Sequence, residues 1–510
     1  MKYFWTLCLT SFLCGGVGLA QPKGEPLQQR QLTNSSAVGN EVFTLAYDNP
    51  SLRYLWPKAD QTEIYLGGIH QQEDLPQLVQ EGTGQNFAMV DVVSFLKKKN
   101  YSLWGQAYYK NGKLLDRCWN ETSDYQLLYP YVMGDTLGGS LKSEQYYFSG
   151  GCAYRLSRYV IGIAGSYKAS IDYRNADPRP KNLTGDLNAR IGVSRYLGEA
   201  YQLGLDISAR KYKQTNDLVF YDELGVPNIY HFTGLGSDYY RFRGAKGESF
   251  YKGRAFGGGL ALLPTTSAGL SAAVHYNRFQ FEKVISSLNE LPMAMVKEDQ
   301  LQSEIAWKDQ RGQGLHKGVR CGFDYTRRIG QENIFGAPSG NIFPQIGSQE
   351  KYMNKIYAGK LAGMLEYTFV KGTRLSLIGQ ANYFNIETTY LFPSRGMELA
   401  FTTAQLDFRV VVPFRKWMLS GQFGAMSKFR HHSSLDLGKL QQPDNELLNT
   451  PAIANYEGLR ATCNRLHTQL RTDYSWNDKY GVFLGVDYQY GVDGRDSKLH
   501  CLFGQMGFTF

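Results

Sequence analysis

The 510-residue chain is 43% hydrophobic, 14% aromatic and 20% charged, with 55 Gly and only 17 Pro, a balance that describes one continuous strand-rich body better than several ordinary domains. Lys and Arg total 55 against 46 Asp and Glu, a formal charge of +9, and the cations are scattered, with no run longer than Lys97, Lys98 and Lys99, which argues against a nucleic-acid surface. Mean hydropathy is −0.38, and after residue 20 no apolar run approaches the roughly 18 residues of a transmembrane helix, a test that a β-barrel escapes.

Met1 and Lys2 form a positive head, Tyr3 to Leu13 an apolar run, and Gly18-Leu19-Ala20 a small-residue cleavage site, so residues 1–20 read as a secretory signal peptide. Lipidation at Cys14 would want a small residue before it, where Leu13 stands. The later cysteines, Cys118, Cys152, Cys321, Cys463 and Cys501, are odd in number and widely spaced, unlike a disulfide framework or a C-x-x-C metal site. Residues 21–61 precede the first strand as an N-terminal periplasmic or hatch segment, far shorter than the plug domain of a TonB-dependent transporter.

From residue 62 to the end, apolar and polar side chains alternate. Leu203, Leu205, Ile207 and Ala209 fall on one face and Gln202, Asp206, Ser208 and Arg210 on the other. Because strand side chains point alternately to opposite sides, each segment has one oily and one wet face. The candidate strands are 62–70, 86–97, 100–110, 143–155, 158–173, 183–196, 201–214, 250–263, 268–283, 294–309, 317–330, 357–371, 373–389, 398–414, 416–431, 459–475, 479–491 and 499–510. A soluble sandwich also alternates, but its strands average about five or six residues, whereas a tilted membrane strand needs about nine to eleven.

Connectors alternate as well. Tight turns such as Lys371-Gly372 and Phe414-Arg415 are interleaved with long stretches near 111–142, 215–249, 331–356 and 432–458. Counting back from the C-terminus puts every long connector on one side, the exterior of an outer-membrane barrel, with short turns on the periplasmic side. Residues 62–510 therefore read as an all-β, transmembrane antiparallel β-barrel of about eighteen strands. Tyr101, Tyr109, Trp417, Trp476, Tyr480 and Tyr490 suit interfacial girdles.

The chain ends Phe508-Thr509-Phe510, with Leu502, Gly504 and Met506 at the preceding alternate positions. This resembles the C-terminal signal of bacterial outer-membrane barrels. At the level of pattern, most of the chain resembles the outer-membrane β-barrel proteins of Bacteroidota. Asp48-Asn49-Pro50-Ser51-Leu52 is similar to the Asn-Pro-Ala element in the hatch of fatty-acid-transporter-like barrels, with Ser in place of Ala. Tyr129-Pro130-Tyr131, Gly134-Asp135 and Gly138-Gly139 look like a loop of uncharacterised members of that phylum.

Alternation turns a mixed set of charges inward: Asp186, Arg190, Asp206, Arg210, Asp324, Lys360, Glu366, Asp407, Arg409, Arg465, Arg471 and Asp473. They either cross-link a hydrated interior or form a constriction for a polar or anionic solute through the arginines. His431 and His432, followed by Ser433, Ser434 and Asp436, are the only adjacent histidines. Neighbouring strand residues point opposite ways, which argues against a shared metal; no motif of a hydrolase accompanies them. The 215–249 connector carries Phe220, Tyr221, Tyr230, Phe232, Tyr239, Tyr240, Arg241, Phe242 and Arg243. These either fold the loop over the pore mouth or offer a platform to a glycan or protein, with Tyr230, Tyr239, Tyr240, Arg241 and Arg243 as binding candidates.

The sequence thus leads to an outer-membrane barrel that passes or binds a small solute without energy coupling of its own, with no cofactor and no nucleic-acid partner expected. The bilayer is one expected partner, and an outer-membrane protein or uptake complex another. A surface scaffold or adhesin binding through its outer loops is the alternative, and an outer-membrane hydrolase the third reading.

Overall fold

The structure is a computed structural model that describes residues 25–222, 228–244, 248–312, 314–340, 342–438 and 445–510. The expected signal peptide lies outside the described residues. Eighteen antiparallel strands form one sheet: β1 Gln61–Glu73, β2 Gly84–Lys97, β3 Tyr101–Arg117, β4 Gly139–Leu156, β5 Tyr159–Tyr173, β6 Arg179–Leu197, β7 Tyr201–Val219, β8 Ser249–Pro264, β9 Ala268–Ile285, β10 Leu291–Asp309, β11 Leu315–Phe335, β12 Gln345–Thr368, β13 Arg374–Tyr390, β14 Arg395–Phe414, β15 Trp417–Asp436, β16 Cys463–Ser475, β17 Gly481–Asp493 and β18 Lys498–Thr509. The sheet closes on itself through β18 and β1, with Phe508 opposite Ile64. Closure leaves no unpaired edge, the condition for a sheet to sit in hydrocarbon.

Alternation decides which side is which. On β7, Ile207 is 62% exposed and faces outward, while Gln202 and Asp206 are buried within. Aromatic side chains bound the outward apolar band. Tyr325 packs against Tyr357 with ring centres 5.0 Å apart at its outer margin, and Trp417 against Tyr474 at 4.7 Å at the inner one. Along β12, Tyr357 and Tyr367 are ten residues apart; at about 3.4 Å per residue and a tilt of about 40°, that is roughly 26 Å, the height of an outer-membrane hydrophobic band. The chain is a bacterial outer-membrane barrel.

Several strands run well past the band on the outer side. β11 has 21 residues and β12 has 24, so the long connector expected over 331–356 shrinks to 336–344. Continued pairing above the membrane satisfies the backbone and raises a rim against which the outer loops pack. A helix, α4, occupies Asn445–Arg460, most of it in the connector expected over 432–458, and its last turn takes the start of the expected strand 459–475, which begins instead at Cys463.

Both ends of the lumen are occupied. At the inner end, residues 25–60 form α1 (Leu27–Asn34), α2 (Ala37–Glu41) and two short 3-10 turns. The Ser36 hydroxyl caps α2 by accepting from the Gly39 amide at 3.0 Å. Val38, Val42, Phe43, Ala46 and Leu52 form a core with inward Ala261, Leu263, Ala273, Ala306 and Ala362; the small wall residues make room for the segment. At the outer end, Trp119, Tyr125, Leu128 and Tyr131 of the 118–138 loop, which contains α3 (Tyr125–Leu128), cluster with Tyr230, Phe232, Phe242 and wall residues Tyr251 and Phe279.

Candidate functional site

The wall holds the N-terminal segment by both shape and charge. Asn49 Oδ1 accepts from the Ser51 amide at 3.0 Å and the Ser51 hydroxyl at 2.8 Å, closing a compact turn. That turn sits against inward glycines of three adjacent strands. A Cβ at Gly192 would overlap Asn49 Oδ1, one at Gly162 the Ser51 backbone nitrogen, and one at Gly204 would lie 2.8 Å from Asn49 Nδ2. Only glycine lets the two backbones come this close.

Polar ties complete the seat. Glu366, fully buried on β12, accepts from the Ser36 hydroxyl at 2.8 Å and from the Ala37 amide at 2.7 Å, at the start of α2. The Arg374 guanidinium lies 3.5 Å from Glu366 and donates to the Leu32 carbonyl at 2.6 Å. Glu304 accepts from Thr44 and Leu45, and Arg320 donates to Glu41 and Thr44. None of Arg374, Glu304 and Arg320 stood out in the sequence, because a charge that grips a plug and one that faces water alternate identically.

All twelve inward charges sit on the lumen side, but in different roles. Arg190 donates to the Asp48 carbonyl, Arg409 pairs with Glu41 at 2.9 Å, Asp473 accepts from Gln31 at 3.0 Å, and Glu366 holds α2. These four engage the N-terminal segment. Arg210 and Asp186 form a two-pronged pair at 2.8 Å, and Lys360 reaches Asp324 at 2.5 Å. Asp407 faces His467 at 2.9 Å, Asp206 lies 3.7 Å from Arg190, and Arg471 bridges Glu63 and Asp473. Arg465 packs over Gly491. Four of the five arginines considered for an anion constriction therefore have an acidic partner.

An inward space lies between the barrel's outer half and its loops. A cavity of about 400 Å³ is lined by Gln77, Leu78, Gln80, Glu81, Tyr125, Gln126, Tyr129, the α4 residues Ala452 and Asn455, and wall residues including Glu298, Arg328, Tyr352, Asn354 and Thr388. Three tyrosines form one wall: the Tyr125 and Tyr129 rings are 5.5 Å apart, and Tyr352 meets Tyr129 edge-on at 5.7 Å. Burial pushes the Tyr125 and Tyr129 phenols up, so both stay neutral donors. Arg328 is fixed by Glu298 at 2.6 Å and by the Gln126 and Tyr129 carbonyls at 2.8 and 2.9 Å. Asn455 ties α4 to the 74–83 loop through Gln80 and Val79. Flat aromatic faces beside amides and a held ion pair suit a small polar solute with some apolar surface.

The aromatic–cationic loop is largely committed to its own fold. Tyr230 is buried in the outer cluster, Tyr239 donates to the Asn333 carbonyl, Arg241 donates to Phe335 and Gly336, and Arg243 pairs with Asp238 at 2.9 Å. Tyr240 stays 48% exposed. His431 and His432 meet a register slip opposite Ala400 and Phe401. His431 bonds the Thr402 hydroxyl at 2.7 Å, and His432 lies 3.4 Å from Glu398. Among the described residues no group of three or more His, Cys, Asp or Glu side chains is placed to hold a metal ion.

A buried acid pair stabilises the 118–138 loop in a pH-dependent way. Glu121 and Asp135 are both fully buried and share Arg174, at 2.8 and 3.8 Å. Burial, reinforced by the Asp135 carboxylate, holds the Glu121 carboxyl well above its ordinary range. The folded loop thus keeps a proton that the unfolded chain would release, and its stability falls as pH rises through the folded value. We expect Glu121→Gln to flatten this dependence, measured as protease resistance of the loop across pH; an unchanged loss of resistance with rising pH would refute the assignment.

Solved structures similar to this chain include the copper transporter OprC, at 10% identity and a TM-score of 0.41, covering 85% of this chain and 62% of that one. A mutant of the ferric enterobactin receptor PfeA from Pseudomonas aeruginosa matches at 8% identity and 0.39, covering 89% and 81%. BauA, the ferric preacinetobactin receptor from Acinetobacter baumannii, matches at 8% and 0.38, covering 89% and 80%. The chain thus spans about 62% of the length of OprC. No curated protein matches. Residues 50–508, nearly the whole barrel with the end of its N-terminal segment, match the family of unknown function DUF6850, and the chain belongs to that family.

Proposed function

We propose that this protein captures a small solute in the cavity under its outer loops and takes part in its uptake across the outer membrane, with residues 21–61 as a hatch below it. The observation that carries this reading is the cavity of about 400 Å³, walled by Tyr125, Tyr129 and Tyr352 and floored by the Arg328–Glu298 pair. A volume of that order accommodates a ligand the size of a short sugar or peptide. The barrel has no energy coupling of its own in this reading; an outer-membrane protein or uptake complex would supply it. The kinship with the barrels of Bacteroidota, resting on the alternation pattern and the 129–139 loop, and that with fatty-acid-transporter-like barrels, resting on Asn49-Pro50-Ser51, belong to the same proposal.

The test fills the cavity without touching its polar groups. Ala452→Trp, on α4, is expected to abolish the thermal stabilisation that a bound solute gives the wild type in a screen of sugars, short peptides and metal chelates. A solute that stabilises both proteins equally would place its binding elsewhere and sink the proposal. The adhesin reading retains one specific support, the outer pair of Tyr221, 73% exposed, and Arg179, 3.9 Å over its ring.

A further inference from the structure

The barrel's outer flank changes character abruptly on two neighbouring strands. Outward side chains on β7 run Leu203, Leu205, Ile207 and Ala209, and then Lys211 and Lys213. On β8 the register sets Arg254 opposite Lys211 and Lys252 opposite Lys213. All four are exposed on the outward face. Lys211 lies ten residues beyond Tyr201, roughly 26 Å up the wall at a tilt of about 40°. The cations therefore begin where the apolar band ends, on the side of the long loops.

Their surroundings leave them available. Among the described residues, Lys211, Lys213 and Lys252 form no ion pair, and Lys252 lies 4.4 Å over the Phe250 ring. Arg254 is oriented by the Gln280 amide oxygen, turned to accept from Nε and Nη2 at 2.9 Å each. On β9, Arg278 is 55% exposed and 3.8 Å from Asp299. Glu282 stands opposite Lys252, and Asp217 and Glu248 follow at the outer ends of β7 and β8, so Lys211 and Arg254, next to the apolar band, are the cations farthest from an acid. At the closing seam, β1, β2 and β18 carry His70, Asn86 and His500 in outward positions instead.

We infer that Lys211, Lys213, Lys252 and Arg254 form a binding site for the phosphate group of an outer-leaflet lipid headgroup, lying against the barrel's flank. Two cation pairs on strands about 5 Å apart match the oxygens of one phosphate. Rigid strands hold them in place, and the adjacent Phe256 and Ile207, both well exposed, would meet the lipid's acyl chains. A soluble anion would gain nothing from that apolar neighbour, which is why the lipid is favoured over free phosphate.

The test uses the full-length protein in detergent, titrated by native mass spectrometry with bisphosphorylated lipid A and with the same lipid stripped of its phosphates. Wild type is expected to favour the phosphorylated lipid by about tenfold or more. The combined Lys211→Gln, Lys213→Gln, Lys252→Gln and Arg254→Gln variant should lose that preference, with folding verified by heat-modifiable gel migration. Replacing the three lysines by arginine should keep it, which separates charge from fold. Equal binding of both lipids, or an undiminished preference in the glutamine variant, would overturn the inference. So would inorganic phosphate binding alone with the affinity of the lipid.

Discussion

Glu366→Ala is expected to loosen the N-terminal segment from the barrel while leaving the barrel folded. Glu366 is fully buried and bonded to Ser36 and the Ala37 amide, with Arg374 and His316 each 3.5 Å away. Removing it strands a guanidinium and the start of α2 without their acceptor. Breaking such a buried arrangement costs about 3–5 kcal/mol, far more than an exposed pair would. Hydrogen exchange over residues 27–41 should then speed up by two or more orders of magnitude, while the strands stay protected. Glu366→Gln, which keeps an acceptor, should recover part of the protection. Unchanged exchange in the alanine variant would mean that the segment is held by its apolar face alone.

The second large effect comes from adding atoms. Gly162→Val and Gly192→Val each put carbon where the Asn49-Pro50-Ser51 turn already lies. Overpacking of this kind costs about 1–3 kcal/mol per site even when side chains can yield. Here part of the obstacle is backbone, so the turn itself must leave. Ser51 is fully buried, so a Ser51→Cys thiol should resist a water-soluble maleimide in the parent barrel. In the double valine background we expect labelling to accelerate by about tenfold or more. Equal labelling rates would show that the recess is not what seats the turn.

The barrel was largely legible in the sequence because its physics is local. Alternation in segments such as Leu203 to Ala209 requires only that one side be oil and the other water, and each of the eighteen candidate segments overlaps its own strand for most of its length, with ten lying wholly inside and the others overrunning by at most four residues. Strand ends were less legible above the band, where Gln345 to Ile356 continues pairing without a lipid-facing signal. The α4 helix was readable in principle, since Leu448, Ala452, Tyr456 and Leu459 recur at helical spacing, but Pro451 within it reads as a breaker.

The candidate cavity was not legible. Tyr129 and Tyr352, or Arg328 and the Gln126 carbonyl, come together only when loops fold back over a closed wall. The glycine recess is equally hidden, since Gly162, Gly192 and Gly204 look like ordinary wall glycines until Asn49 arrives. Inward charge was correctly located by alternation, but not its use: Arg409 and Glu366 grip the N-terminal segment, while Arg210 and Asp186 pair across the wall.

The most direct test of a lumen closed at both ends is single-channel recording of the full-length wild type in planar bilayers. With residues 25–60 seated below and the Trp119–Tyr131–Phe242 cluster packed above, we expect correctly folded insertions to give no lasting conductance step. A steady open current accompanying each insertion, of the size an unobstructed eighteen-stranded barrel carries, would contradict that closure.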